Sequence, residues 1–139
     1  MSAEINAGRK KRILVVDDNE VILSTLTPRL RAHGYDVFTA TDGAAGITAA
    51  RKNRPDAILL DLSFPPDVAH GGGVGWDGFV ILEWLRRTEG GEHTPVFIIS
   101  ISDPEKFRDR ALAAGAAGYF HKPLDHDALL AEIDKVIAK

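Results

Sequence analysis

Three stretches of the chain are apolar without interruption: Ile13–Val16 (ILVV), Ala57–Leu60 (AILL) and Val96–Ile99 (VFII). A strand with one wet face alternates apolar and polar residues, so a continuous run means burial on both faces. Such strands belong in the middle of a parallel sheet covered by helices on both sides. Two further runs, Asp36–Ala40 (DVFTA) and Gly118–His121 (GYFH), are more mixed and fit the edges of that sheet. Helical spacing fills the gaps. Val21, Ile22, Leu26 and Leu30 recur every three to four residues up to His33–Gly34, a helix stop. Pro28 lies inside this helix and is expected to bend it or to cost up to about 3 kcal/mol. A second helix covers Gly43–Asn53 and is closed by Arg54–Pro55. A third runs from Asp77 or Gly78 to Arg87 with Phe79, Leu82 and Leu85 on one side. A fourth spans Pro104–Ala114 between an Asp103 N-cap and a Gly115 C-cap. The last, Asp125–Ala138, buries Leu129, Leu130, Ile133 and either Val136 or Ile137. Strict alternation of strand and helix means crossover connections and an α/β sheet with helices on both faces.

The 139 residues suffice for one domain with a real core and no more. No apolar run approaches the roughly 18–20 residues that cross a bilayer. The opening MSAEINAGRKKR lacks the apolar core of a secretory signal. Zero cysteines exclude disulfides and thiolate metal sites. These features lead us to expect a cytoplasmic protein without membrane attachment. A net charge of −3 gives no reason to expect nucleic-acid binding. The basic run Arg9–Arg12 reads as a solvated tail entering the first strand.

In an open parallel sheet the functional crevice lies beyond the carboxyl ends of the strands. The residues there carry chemistry. The first run ends in Asp17 and Asp18, the third in Asp61, the fourth in Ser100 and the fifth in Lys122. Asp17 and Asp18 can face one site only if the strand stops beside them, because successive strand residues point to opposite faces. Clustered carboxylates repel one another, and a hard divalent cation relieves the repulsion. Mg²⁺ is commonly held by one or two carboxylates, waters and a phosphate oxygen. One carboxylate can then act as a nucleophile towards phosphorus. A nearby ammonium and hydroxyl would neutralise and hydrogen-bond the phosphoryl oxygens. Any one of these residues alone reads more simply as a helix cap, turn residue or surface lysine. The pattern lies in all of them ending strands that the topology brings together.

The residues that carry it are ILVVDDNE, DGAAGITAARKNRPDAILLDL leading into Asp61, TPVFIIS ending at Ser100, and GAAGYFHKPL with Lys122–Pro123. Over residues 10–139 the chain resembles the receiver domain of two-component response regulators. The resemblance implies a flavodoxin-like, doubly wound (βα)5 sandwich with strand order 2-1-3-4-5. It implies that Asp61 accepts a phosphoryl group from a histidine kinase or a histidine phosphotransfer protein. Asp17, Asp18, Asp61 and the backbone carbonyl of Ser63 would hold Mg²⁺. Ser100 would hydrogen-bond the acyl phosphate, Lys122 would pair with it, and Tyr119 occupies the aromatic position that turns inward with the hydroxyl. Lys122–Pro123 matches a position where such domains carry a cis peptide bond. The switched surface would be the fourth helix, fifth strand and fifth helix, which also offers a homodimer contact. It would meet a downstream protein or a linked output domain. Such a domain is a switch, catalysing only its own phosphorylation and dephosphorylation. Residues 1–9 would form a tail. No output domain follows Lys139, so the chain either acts alone or is a fragment of a larger regulator.

Departures from the family pattern are local. The strand-like runs start at 13, 36, 57, 96 and 118, so one interval of 39 stands against three of 21–23. After Asp61 the family usually has Pro at +4 and Asp-Gly at +7 and +8. Pro65 is in place, but Asp77–Gly78 arrive at +16 and +17, which makes an extended, glycine-rich loop over about 65–77. We read it as altering access to the site or adding a partner contact. His70 within it is a poor metal ligand, with only Asp67 for company, and Trp76 reads as an anchor for the loop's end. Ile101 stands where the family usually has Ala or Gly, and its bulk is expected to slow dephosphorylation. Rapid decay of the phosphoprotein, unchanged in Ile101→Ala, would contradict that. The small Ser63 acts in the opposite sense, leaving the net lifetime open. His121 alternates away from Lys122 and reads as a surface residue rather than a proton shuttle. Competing classes are a receiver that is never phosphorylated and works only by binding, and a small Mg²⁺-dependent phosphohydrolase with an aspartate nucleophile. The second has only a loose match in Asp18 with Glu20 at +2, and no cap domain. A flavin-mononucleotide binder shares the topology, but DDNEV is the electrostatic opposite of a phosphate loop.

Overall fold

The computed structural model describes residues 10–61, 78–87, 93–101 and 104–137. Its strands are β1 (Arg12–Val16), β2 (Asp36–Ala40), β3 (Ala57–Asp61), β4 (Val96–Ser100) and β5 (Gly118–His121). Its helices are α1 (Glu20–Ala32), α2 (Gly43–Asn53), α3 (Gly78–Arg87), α4 (Pro104–Ala113) and α5 (His126–Ile137). All strand pairs are parallel and the order is β2-β1-β3-β4-β5. The two mixed runs are the edges and the three continuous runs the centre. The arrangement is the flavodoxin-like α/β sandwich.

Parity explains why the central runs are apolar throughout. Ile13, Val15, Ala57, Leu59 and Phe97 form one cluster with Leu26 and Leu30 of α1 and Leu129, Leu130, Ile133 and Ile137 of α5. Leu14, Val16, Ile58, Leu60 and Ile98 form the other with Ile47 of α2, Ile81, Leu82 and Leu85 of α3, and Ala111 of α4. Every side chain of these runs except Ile99, which is also fully buried, therefore enters one of the two cores. Each buried Leu, Ile or Phe stabilises the fold by roughly 1.5–3 kcal/mol. Of the two residues expected to close α5, Ile137 is buried and Val136 is 46% exposed.

Pro28 does not break α1, which runs through it to Ala32. The helix closes with His33 N–H on the Arg29 carbonyl at 3.1 Å, Gly34 at φ 102°, and Tyr35 N–H on the Leu30 carbonyl at 3.2 Å. Thr27, beside the proline, is buried, and its hydroxyl has no hydrogen-bond partner among the described residues. At the end of α2, Arg54 takes the left-handed conformation at φ 46° and caps Ala50 at 3.1 Å. Arg12 is not a solvated tail. It opens β1, and its guanidinium donates to the Asn53 carbonyl at 2.8 Å while its N–H donates to Asp56 Oδ2 at 2.8 Å. Gly46 of α2 faces Val16 so closely that a Cβ there would lie 3.0 Å from both Val16 methyls. A polar cluster ties α1 to α5 at the same end as Arg12. Asp134 accepts from the Tyr35 hydroxyl and sits 2.5 Å from His33 Nε2, and the two rings are 5.9 Å apart.

Candidate functional site

Register brings the acidic residues together. Val16 of β1 pairs with Leu60 of β3, so the residues that follow, Asp17 and Asp61, lie side by side. β1 stops at Val16, which frees Asp18 from strand geometry. Carboxylate oxygens of Asp17, Asp18 and Asp61 come within 4.8 Å of one another. Asp17 is fully buried and Asp61 2% exposed, while Asp18 is exposed to solvent. The cluster therefore has two carboxylates in the floor and one at the mouth.

Lys122, beyond the end of β5, enters from the side. Its Nζ lies 2.8 Å from Asp17 Oδ2 and 3.6 Å from Asp61 Oδ1, and the side chain is 9% exposed. The ammonium thus makes a charge-assisted hydrogen bond to Asp17 and a longer ionic contact to Asp61. The other oxygen of Asp17, Oδ1, accepts the Asn19 N–H at 2.9 Å. Among the described residues three carboxylates gather about one ammonium, and the net negative charge of that group suits a divalent cation. Hard oxygen donors of this kind suit Mg²⁺, and the residues fit the ion that the sequence implies.

Ser100 is fully buried at the end of β4, in register with His121. Its carbonyl accepts the Lys122 N–H at 2.7 Å, which ties the hydroxyl-bearing residue to the lysine's backbone. The Lys122–Pro123 peptide is cis, as the sequence suggested. Tyr119 is half-buried and packs against the core cluster that lies between the sheet and α2, α3 and α4. Ile101 is 68% exposed next to the site. Ser63, the extended loop over 65–77 with Asp67, His70 and Trp76, and Asp103 lie outside the described residues.

Two residues do more than the sequence suggested. Asn19 caps α1, its Oδ1 accepting from Val21 N–H at 2.9 Å and Ile22 N–H at 3.4 Å, while its own N–H holds Asp17. The Asn before Glu20 was a legible cap signal, whereas its second role needs the turned backbone. His121 is exposed, as read from its alternation, yet its ring lies 3.0 Å from the Ile101 carbonyl.

An acidic triad and a nearly buried lysine thus share the carboxyl edge of a parallel 2-1-3-4-5 sheet. The response regulator receiver domain model matches residues 13–134, and the chain belongs to that family. Protein PilH of Pseudomonas aeruginosa is 33% identical over 127 residues, covering 91% of this chain and 98% of PilH. The response regulator PleD of Caulobacter vibrioides is 36% identical over 122 residues, 88% of this chain but 25% of PleD. The transcriptional regulatory protein PrrA of Mycobacterium tuberculosis is 34% identical over 128 residues, 92% of this chain and 50% of PrrA. The chain therefore spans nearly all of one relative and half or less of the others. Among solved structures, chemotaxis protein CheY4 of Vibrio cholerae superposes with TM-score 0.79 at 28% identity, over 93% of this chain and all of that one. The receiver domain of a sensor histidine kinase of Pseudomonas aeruginosa superposes with TM-score 0.78 at 27% identity, covering 94% of this chain and 100% of its own. That structure is described with a magnesium ion coordinated in the active-site cleft. The protein is thus a receiver domain of two-component signalling, with a fold typical of switches rather than of metabolic enzymes. No helix among the described residues is long and apolar enough to cross a membrane.

Proposed function

We propose that the chain is a phosphoacceptor switch in a two-component phosphorelay, modified on Asp61. Residues 10–139 form the receiver domain, preceded by a tail at 1–9 and carrying the extended loop at 65–77. The observation that carries this reading is Lys122, buried between Asp17 and Asp61 on neighbouring strand ends with Asp18 at the mouth. A buried charge cluster that does not balance itself is costly to the fold, and it is retained here where a charged ligand can enter.

Asp17, Asp18 and Asp61 would hold Mg²⁺, with the backbone carbonyl of Ser63 as a further ligand. When bound, the ion supplies charge neutralisation for the entering phosphoryl oxygens. An Asp61 carboxylate oxygen attacks phosphorus while the P–N bond of a partner's phosphohistidine breaks, its electron pair returning to the imidazole nitrogen. Lys122, which sits nearer Asp17 than Asp61, has the reach to turn towards the new phosphoryl oxygens. Ser100 then donates a hydrogen bond from its hydroxyl to a phosphoryl oxygen, and Tyr119 moves in the space this vacates. The output is a population shift of the face formed by α4, β5 and α5. The donor is a sensor histidine kinase or histidine phosphotransfer protein in the cytoplasm. The receiver of the signal is a downstream protein, a linked output domain, or a second copy through the same face.

The test is incubation with Mg²⁺ and acetyl phosphate, followed by intact mass. A phosphate adduct is expected in the wild type and absent in Asp61→Asn. Failure of every small phosphodonor and of a cognate-type phosphohistidine donor would leave the reading of a receiver that acts by binding alone.

A further inference from the structure

His121 donates from Nε2 to the carbonyl of Ile101 at 3.0 Å. A carbonyl only accepts, so Nε2 carries the proton. Among the described residues the last backbone bond between the ends of β4 and β5 is Lys122 N–H to the Ser100 carbonyl, just before this contact. The next residue, Pro123, has no N–H to offer. A side chain thus adds a tie between the two strand ends beside that last backbone bond. It joins the residue after Ser100 to the residue before Lys122, two groups that both serve the acidic site.

The described arrangement has the features of a resting state. Lys122 bonds Asp17 at 2.8 Å and stands 3.6 Å from Asp61, and Ser100 is fully buried. We propose that His121 is a latch on the switch, its Nε2–H holding the Ile101 carbonyl so that the peptide following Ser100 stays in the resting arrangement. This rests on reading Asp61 as the phosphoacceptor and Ser100 as the hydroxyl it recruits. Drawing the Ser100 hydroxyl towards a phosphoryl group pulls on the Ser100–Ile101 peptide, and the bond to His121 has to stretch or break. One hydrogen bond at a solvent-facing position sets the resting population by about 2- to 10-fold. His121 touches neither metal nor phosphate in this scheme. It is a positioning residue acting through Ile101.

Two variants separate the ring from its proton. His121→Phe keeps the ring and removes the donor, and His121→Gln keeps a donor on a flexible stem. The full chain is titrated with beryllofluoride in Mg²⁺, and amide spectra are recorded with and without it. His121→Phe is expected to bind about 2- to 10-fold more tightly than wild type. Its ligand-free Ile101 and Lys122 amide signals should lie part-way along the line from free to beryllofluoride-bound wild type. His121→Gln should stay near wild type in both measurements. Equal affinity of His121→Phe and wild type, or a His121→Gln that behaves like His121→Phe, overturns the latch alone. A wild type that neither binds beryllofluoride nor takes phosphate from acetyl phosphate overturns the phosphoacceptor reading and the latch with it.

Discussion

The two polar clusters at opposite ends of the sheet are built on different terms. At the carboxyl end, Asp17, Asp61 and Lys122 are nearly or wholly buried, and with Asp18 the negative charges outnumber the cation. At the other end, His33 and Asp134 are partly open to solvent, Tyr35 is buried at 5% exposure, and the three satisfy one another. Burial first, then the hydrogen bond to Asp134 and its charge, push the Tyr35 phenol far above its ordinary range. Burial also acts to raise the Asp134 carboxyl, but the hydrogen bonds from Tyr35 and His33 and the His33 charge together bring it below its usual value. That cluster is complete without a visitor, and its work is to fasten α1 to α5. The acidic cluster is incomplete, and burial makes the deficit expensive. Incompleteness under burial, rather than polarity alone, marks the functional end.

The largest test of this contrast is Lys122→Ala. Removing one partner of a buried ion pair leaves uncompensated buried charge, expected to cost about 3 kcal/mol. In thermal unfolding this is a fall of about 10 °C without Mg²⁺. Adding Asp17→Asn to the same chain should recover part of the loss, and a Lys122→Ala protein as stable as wild type would refute the contrast. Next in size, Mg²⁺ at a hundred times its dissociation constant should stabilise the wild type by about 2.7 kcal/mol. Asp17→Asn should lose most of that gain, measured by thermal shift against Mg²⁺ concentration.

Thr27 tests whether any buried polar group behaves like the acidic cluster. Its hydroxyl has no partner among the described residues, and no role is assigned to it. Thr27→Val should therefore raise stability by about 1 kcal/mol in denaturant melts, where loss instead of gain would mean a partner is present. The smallest effect belongs to Asp134→Asn, because Asp134 and His33 are more than a third exposed and hold one another in high dielectric. A loss of about 0.5–1 kcal/mol at neutral pH is expected. Asp134 has a lowered folded pKa, so its stabilisation is complete above the unfolded value near 3.9 and fades as pH falls through the lower folded value. Wild type and Asp134→Asn should thus converge in acid melts. A gap that widens on acidification would reverse the sign assigned here.

Much of the fold was legible because it follows from burial. Runs such as Ile13–Val16 must have two apolar neighbours, and alternation with helices leaves one parallel topology class. The site was legible to the extent that it rides on strand ends, as with Asp17, Asp61 and Ser100. What sequence could not provide is pairing across distance. His33 and Asp134 are 101 residues apart, and no local pattern links them. The same holds for Lys122, whose closer bond is to Asp17 and not to Asp61. Arg12 was misjudged because a basic run looks solvated until the end of α2 is placed beside it. Pro28 looked disruptive because a missing N–H and a ring clash are local penalties, and tertiary packing of Leu26 and Leu30 holds the helix around them.

Gly46 sets a mechanical tolerance for the acidic end. With a hydrogen where other residues have a Cβ, Gly46 lets α2 lie over the Val16 side chain, where an added carbon would come within 3.0 Å of both methyls. Val16 is the last residue of β1, so the floor under Asp17 is gauged by the thickness of a helix backbone. A single added carbon there would act as a shim one residue from the carboxylate. The helix thereby fixes the height at which the Asp17 carboxylate stands.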